Sequence, residues 1–178
     1  MRLLKSTVHP DLHLCEQTSF ERIATRAIVL KGDHILLLYT QRYDDYTLPG
    51  GGVDEQEDII EGFKRELTEE TGAHNIRNIK AFGLYEEFRP WYKDDFDIMN
   101  MKSYCFSCDI DNQLGETKFE DYEVKNGMKA VWLPIKDAIK HNEKTIAESD
   151  KKGMSVEREL FLLKLIQKEL IPCSEIIY

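Results

Sequence analysis

Residues 48–72 read LPGGGVDEQEDIIEGFKRELTEETG. Three successive glycines lead into a segment whose apolar residues, Ile59, Ile60, Phe63 and Leu67, recur at helical spacing. Successive glycines carry an entropic cost. It is justified where backbone must approach a neighbour closely or adopt dihedrals closed to other residues. The spacing predicts a helix from about Glu57 to Thr71. Glu57 and Asp58 suit the positive end of its dipole, and Gly72 closes it in the left-handed conformation. Gly62 falls mid-helix, which costs about 1 kcal/mol relative to alanine and suits close packing against a strand.

The other elements arrange themselves around this helix. RAIVLKGDHILLLYTQR reads as a β-hairpin turning at Gly32 and Asp33. YTLPGGGVD is a short strand running into the glycines. IKAFGLYEEFRP and MNMKSYCFSCDI are two strands joined by the polar, aromatic loop WYKDDFD, and GMKAVWLPI is another strand. Pro134 starts a short helix through His141. Val156, Leu160, Leu163, Ile166 and Leu170 mark a final amphipathic helix. Residues 1–20, with Pro10 and mixed polarity, read as an irregular leader, and 21–178 as a single domain. Strands interleaved with helices predict an α/β (α+β) fold, a mixed sheet packed between helices.

A chain of 178 residues with 42% hydrophobic and 32% charged residues is long enough for one full core. The longest apolar run, ILLLY, is far too short to span a bilayer, so no membrane role is expected. The first residues, MRLLKSTVHPDLHLCEQ, show neither a long apolar stretch nor a small-residue cleavage site, which favours the cytoplasm. A net charge of −9 argues against a duplex nucleic-acid partner, which usually meets a basic face. Four cysteines are present, Cys15, Cys105, Cys108 and Cys173. CFSC lies in an apparent strand, where residues three apart point to opposite faces, so reduced structural cysteines are expected rather than a zinc site. HPDLH reads as a surface arm, because Pro10 breaks the helix that would align its two histidines.

In the predicted helix, Glu66, Glu69 and Glu70 share one side, since residues three and four apart are neighbours. Like charges there repel by a few tenths of a kcal/mol per pair. A solvated helix face usually mixes signs, but Lys64 and Arg65 lie before the cluster rather than among it. A hard divalent cation converts the repulsion into coordination. Mg²⁺ prefers oxygen ligands and commonly bridges carboxylates to substrate phosphates. An acidic helix beside a glycine-rich turn therefore fits a metal–phosphate site, set against the alternative of a plain loop and an acidic surface helix.

From Gly51 the chain runs through five residues to Glu57, through seven to Arg65-Glu66-Leu67, then Glu69-Glu70, Gly72 and Ala73. This pattern resembles the Nudix box at each defining position, and LPG resembles its usual lead-in. Gln56 and Gly62 depart from common choices at non-defining positions. The resemblance implies the Nudix fold and a Mg²⁺- or Mn²⁺-dependent hydrolase of a nucleoside diphosphate linked to another moiety. It implies Glu66, Glu69 and Glu70 as metal ligands, joined by the Gly51 carbonyl, with Arg65 orienting a glutamate and Glu57 supporting the loop–helix geometry. Water would attack one phosphorus of a pyrophosphate, with Glu66 favoured as general base and Glu120 or Glu123, from the acidic stretch GETKFEDYEVKNG, as the alternative. The competing class is a Nudix-fold binding module without turnover, which typically loses box glutamates. An alkaline optimum is expected, because a carboxylate-held metal water needs deprotonation.

FRPWY follows at the distance where the resembled subfamilies carry a proline (ADP-ribose hydrolases) or a tyrosine (dinucleoside polyphosphate hydrolases). Pro90 and Tyr92 are both present, so both readings stand. Trp91 and Tyr92 are candidates to stack a base, worth about 1–3 kcal/mol, and Arg89 to meet phosphate or ribose. The same aromatics equally suit the core or a dimer contact. The expected partner is a small nucleotide-type substrate. The leader and the last helix are candidate contacts of a homodimer.

Overall fold

A computed structural model describes residues 1–12, 18–93, 95–150 and 152–172. His13, Cys15 and Cys173 lie outside the described residues. In chain order the elements are β1 (Leu3–Val8), β2 (Ser19–Ile28), β3 (Leu30–Lys31), β4 (His34–Thr40), β5 (Asp45–Thr47), α1 (Ile59–Thr71), β6 (Arg77–Pro90), β7 (Ile98–Asp109), α2 (Asp121–Lys125), β8 (Met128–Pro134), α3 (Ile135–Glu148) and α4 (Val156–Leu170).

The class is α/β (α+β) as expected, with the strands divided between two sheets. One sheet runs β1-β6-β7-β2, antiparallel between β6 and β7 and parallel at both outer pairs. The other centres on β4, which pairs along its whole length with β8 and shares its opposite edge between β3 and β5. The hairpin at Gly32 is present, with Lys31 opposite His34 and Gly32 at φ 62°. Its first arm is only β3. The preceding β2 leaves the hairpin at Val29 and pairs ten residues with β7 in the other sheet. Side-chain alternation marks a strand but not the sheet to which it belongs.

The leader corrects an expectation. Leu3–Val8 is not irregular but pairs in parallel with Leu84–Phe88 of β6. Leu4 packs on Gly83, where a Cβ would stand 2.2 Å from Leu4 Cδ2. Only Leu4 and Thr7 of this strand turn inward, so its apolar alternation is too sparse to read from sequence.

Two cores flank the central strands. Ile28, Ile35, Leu37 and Cys105 face α3 and α4 in one, while Ala27, Val29, Leu36, Phe106 and Cys108 face α1 in the other. Strands buried on both faces read as continuous aliphatic runs, which explains AIVL and ILLLY. Each aliphatic side chain so buried contributes about 1.5–3 kcal/mol. Cys105 and Cys108 take opposite faces as expected. Both are free, and burial pushes each thiol up to about 12. Helix α1 joins its core through Phe63 and Leu67, with the Phe63 and Phe106 rings 5.3 Å apart.

Helix α3 extends past His141 to Glu148. Its later inward residues are polar: Asn142 bonds both the N–H and the carbonyl of Tyr46, at 2.9 and 2.8 Å, and Thr145 bonds the Asp44 carbonyl at 2.7 Å. An apolar stripe cannot reveal such a face. In α4, Val156, Leu163 and Ile166 are buried as expected, but Arg158 and Glu159 are buried with them and Leu170 is 37% exposed. Among the described residues no helix is long and apolar enough to cross a membrane.

Candidate active site

The glycine run lies along the free edge of β2. Ala27 N–H donates to the Pro49 carbonyl at 2.7 Å, Thr25 N–H to Gly51 at 2.9 Å, and Val53 N–H to Ile23 at 3.0 Å. Gly50 has φ 136°, and a Cβ there would stand 2.1 Å from the Thr25 carbonyl oxygen. A Cβ on Gly51 would stand 2.4 Å from Glu66 Oε2. One glycine thus lets two backbones meet, and the next admits a carboxylate.

Helix α1 is held at both ends. The Asp58 carboxylate accepts the N–H groups of Ile60 and Glu61, and Gly72 closes the helix at φ 69°. On its outward side Arg65 spreads over acceptors of four residues. Nε and Nη2 bind the two oxygens of Glu57, each at 2.9 Å, and Nη2 also binds the Gly52 carbonyl at 3.0 Å. Nη1 reaches Glu66 at 2.7 Å and Glu69 at 3.3 Å. These hydrogen bonds from Arg65, helped by the Asp54 N–H, hold the Glu57 carboxyl down at about 2. The same partners raise the Arg65 guanidinium further. A planar fork bound to a carboxylate at two points fixes orientation as well as charge.

Glu66, Glu69 and Glu70 differ in burial, Glu69 being the most exposed with 41% of its side chain accessible. Glu70 is 4% exposed and accepts the Gly50 N–H. Burial, with Glu123 and Glu66 adding negative charge, pushes its carboxyl up to about 8 against the pull of Gly50 and Arg26. Burial also raises Glu66, although Arg65 opposes it. Among the described residues no three His, Cys, Asp or Glu side chains are set to hold an ion as they stand. Arg65 takes Glu66 and Glu69, and Gly50 takes Glu70. The donor set nevertheless fits a hard divalent cation: it is all oxygen and acidic, and it carries a buried carboxyl whose charge no cation fully meets.

A cavity of about 290 Å³ opens beside Glu70, its walls including Arg26, Asp45, Tyr122, Glu123, Arg158 and Glu159. Arg158 and Glu159 form its back. Arg158 Nη1 binds Glu87 at 2.6 Å, and Nε and Nη2 bind Glu159 at 2.9 and 2.8 Å. The other Glu159 oxygen accepts the Leu48 N–H at 2.9 Å. Glu123 is buried on the short helix α2, accepting the Glu120 N–H at 2.8 Å and the Tyr122 hydroxyl at 3.1 Å. The acidic stretch before β8 is therefore partly helical and folds one carboxylate inward. Glu120 begins α2 and does not line the cavity.

Arg89, Trp91 and Tyr92 do not line it either. The Arg89 guanidinium is held by Glu87 and lies in a separate cleft with Lys5, His9 and Tyr85. Trp91 packs on Phe20, ring centroids 4.8 Å apart, and Tyr92 is 79% exposed against it. Arg89 lies at the end of β6 and Trp91 and Tyr92 just beyond it, a separation from the cavity that distance along the sequence does not show. Sequence reasoning missed Arg26, Asp45, Arg158 and Glu159. A signal existed for Glu159, which sits on the Val156–Leu163–Ile166 stripe. A charge at a core position of a helix is a buried charge.

The NUDIX domain family model matches residues 21–155. The chain belongs to this family. It is 26% identical over 107 residues to Nudix hydrolase 12, mitochondrial, of Arabidopsis thaliana, covering 59% of this chain and 50% of that protein. It is 30% identical over 111 residues to diphosphoinositol polyphosphate phosphohydrolase 3-alpha of Mus musculus, covering 61% of this chain and 59% of that protein. The chain spans about half the length of these curated relatives. A solved NUDIX hydrolase from Nitrosomonas europaea matches with a TM-score of 0.56 at 18% identity, covering 89% of this chain and 97% of that one. At that identity the likeness speaks for the fold. In this NUDIX domain the box residues Gly51 to Ala73 are the glycine loop and helix α1 described above.

Proposed function

We propose that this NUDIX domain is a divalent-cation-dependent hydrolase that cleaves the pyrophosphate bond of a nucleoside diphosphate joined to a second group. The observation that carries this reading is the acidic side of α1, with Glu70 buried against the glycine loop and opening onto a ligand-sized cavity. A cation placed there would meet the negative charge that burial and the neighbouring Glu123 and Glu66 make costly on Glu70.

Glu66, Glu69 and Glu70 would hold Mg²⁺ or Mn²⁺, with the Gly51 carbonyl as a further oxygen. When bound, such a cation neutralises phosphate charge and lowers the pKa of an attacking water. Arg65 keeps Glu66 and Glu69 on the side that faces substrate, and Glu57 keeps Arg65 flat against the loop. Glu123 is assigned the proton-accepting role, because it lines the cavity with Glu70 while Glu66 is held by Arg65. Glu120 is not needed. The diphosphate lies along the acidic side and the rest of the substrate enters the cavity.

The test is turnover of a substrate panel: nucleoside triphosphates, ADP-ribose, nucleotide sugars, dinucleoside polyphosphates and inositol pyrophosphates. Cleavage that requires Mg²⁺, disappears in Glu69→Gln and Glu70→Gln, and falls by 10²-fold or more in Glu123→Gln but not in Glu120→Gln is expected. Tight binding of a panel member without turnover would replace the enzyme with a binding module.

A further inference from the structure

Strand β5 places Asp45 in the wall of the cavity beside Glu70. The residue is 1% exposed, and its Oδ1 has no hydrogen-bond partner. Its neighbours along the strand are satisfied. Asp44 receives the Tyr39 hydroxyl at 2.8 Å and His141 at 3.1 Å, and Tyr46 is bound through its backbone to Asn142. Asp45 Oδ1 is left without a donor, and in the same wall Arg26 Nε is left without an acceptor. Arg158 is close enough to act on it electrostatically, but its nitrogens are committed to Glu87 and Glu159. A buried acceptor without a donor costs about 1–3 kcal/mol, and more when charged. A native fold that keeps such a group in a cavity wall has a use for it.

The cavity also limits what the group can meet. At about 290 Å³ it is at the small end of ligand pockets, which run from about 300 to 1,000 Å³. It suits one ring system. Four carboxylates line it, Asp45, Glu70, Glu123 and Glu159, against two arginines. Arg158 is engaged as above and Arg26 Nη1 by the Thr25 and Gly50 carbonyls, while the buried Arg26 Nε has no hydrogen-bond partner. With four carboxylates against two arginines the lining is net negative, which disfavours a second phosphorylated group.

We propose that Asp45 is a specificity-determining residue whose Oδ1 accepts a hydrogen bond from an N–H or O–H donor on the uncharged, non-phosphorylated end of the substrate. The proposal rests on the hydrolase reading above and adds the class of group that the cavity takes: a nucleobase or an unphosphorylated sugar. A polyphosphorylated ring is disfavoured by the net negative lining. Burial, with Glu159 adding to it and Arg158 opposing, raises the Asp45 carboxyl to about 6, as expected of a buried acid without a direct donor.

The experiment compares wild type, Asp45→Asn and Asp45→Leu in the full chain, with kcat and KM measured on GTP, ITP, ATP, ADP-ribose and an inositol pyrophosphate. Asp45→Leu is expected to raise KM for the preferred substrate tenfold or more with kcat within threefold, and Asp45→Asn to restore part of it. Preference for GTP over ITP assigns the donor to a base amino group. Preference for ADP-ribose, with the nucleoside triphosphates alike, assigns it to sugar hydroxyls. Unchanged KM values in Asp45→Leu, or efficient turnover of the inositol pyrophosphate, would overturn the proposal while leaving the hydrolase reading intact. In parallel, GMP, AMP and ribose 5-phosphate are titrated into wild type and Asp45→Leu. At least one is expected to bind wild type tenfold more tightly, whether or not the chain hydrolyses anything, and equal binding of all three counts against the proposal. Because Oδ1 has no protein partner, Asp45→Leu should unfold no earlier than wild type. A merely structural role would lower its midpoint.

Discussion

Glu57 and Arg65 meet in a two-pronged ion pair, Nε to Oε1 and Nη2 to Oε2, each at 2.9 Å. The pair ties the loop before α1 to the helix itself and leaves Nη1 free to hold Glu66 and Glu69. The two side chains thereby hold Glu66 and Glu69 in place on the acidic side of α1.

Arg65→Lys should therefore act on the cation rather than on the fold. A lysine offers a point charge and no planar fork, so it cannot hold Glu57 at two points and Glu66 as well. Groups that orient metal ligands typically cost 10–100-fold in metal affinity or activity when changed. A loss of about that size is expected, read from kcat and from the Mg²⁺ concentration giving half-maximal rate. Glu57→Gln should reproduce part of it.

The first two glycines of the loop should fail in different ways. Gly50→Ala forces a Cβ to 2.1 Å from the Thr25 carbonyl oxygen at a φ of 136°. Neither backbone can yield, so the variant should lose upwards of about 2 kcal/mol, or several degrees of melting midpoint. Gly51→Ala meets instead the tip of Glu66, at 2.4 Å. That side chain can swing away, so stability should hold while metal-dependent activity falls. Calorimetric melting alongside kinetics on both variants separates the two effects.

Glu70 sets a pH dependence. Burial pushes its carboxyl up to about 8, so a cation binding there below that pH would displace a proton. The half-saturating Mg²⁺ concentration should fall as pH rises from 6.5 to 8.5, and the rate at limiting Mg²⁺ should rise. A rate that declines steadily between pH 6 and 9 would contradict this assignment. Without metal the sign reverses for stability. A folded-state pKa raised above the ordinary 4.5 means that the native state holds the extra proton, so stability declines as pH rises from 4.5 through 8. Denaturant melts with and without Mg²⁺ across this window should diverge as pH increases.

Asp45→Asn should stabilise the chain, but only at neutral pH. The wild-type carboxyl is raised from 3.8 to about 6 in the folded state, so its cost is absent below 3.8, grows as pH rises and is complete above 6. The variant should gain on the order of 2–3 kcal/mol at pH 7 and nothing near pH 3.5. Urea unfolding at the two pH values measures the difference, and a loss of stability at pH 7 would show that the carboxyl is satisfied within the fold.

What the residues alone determined was local. The spacing of Ile59, Phe63 and Leu67 dictated α1, the i, i+3 and i+4 spacing dictated that Glu66, Glu69 and Glu70 share a side, and Gly72 dictated where the helix stops. Helical periodicity and left-handed closure are properties of a few consecutive residues, so one sequence suffices to read them. The tertiary structure decided everything that depends on which distant segments meet. It took the leader into a sheet beside β6, split one aliphatic run between two sheets at Val29, turned Glu123 inward and Glu120 aside, and carried Trp91 and Tyr92 away from the cavity. It also buried Arg26, Asp45, Arg158 and Glu159 together. Arg26, Arg158 and Glu159 are buried because partners from elsewhere in the chain compensate them, and those partners, Leu48, Glu87 and the glycine loop among them, are neighbours in space and not in sequence.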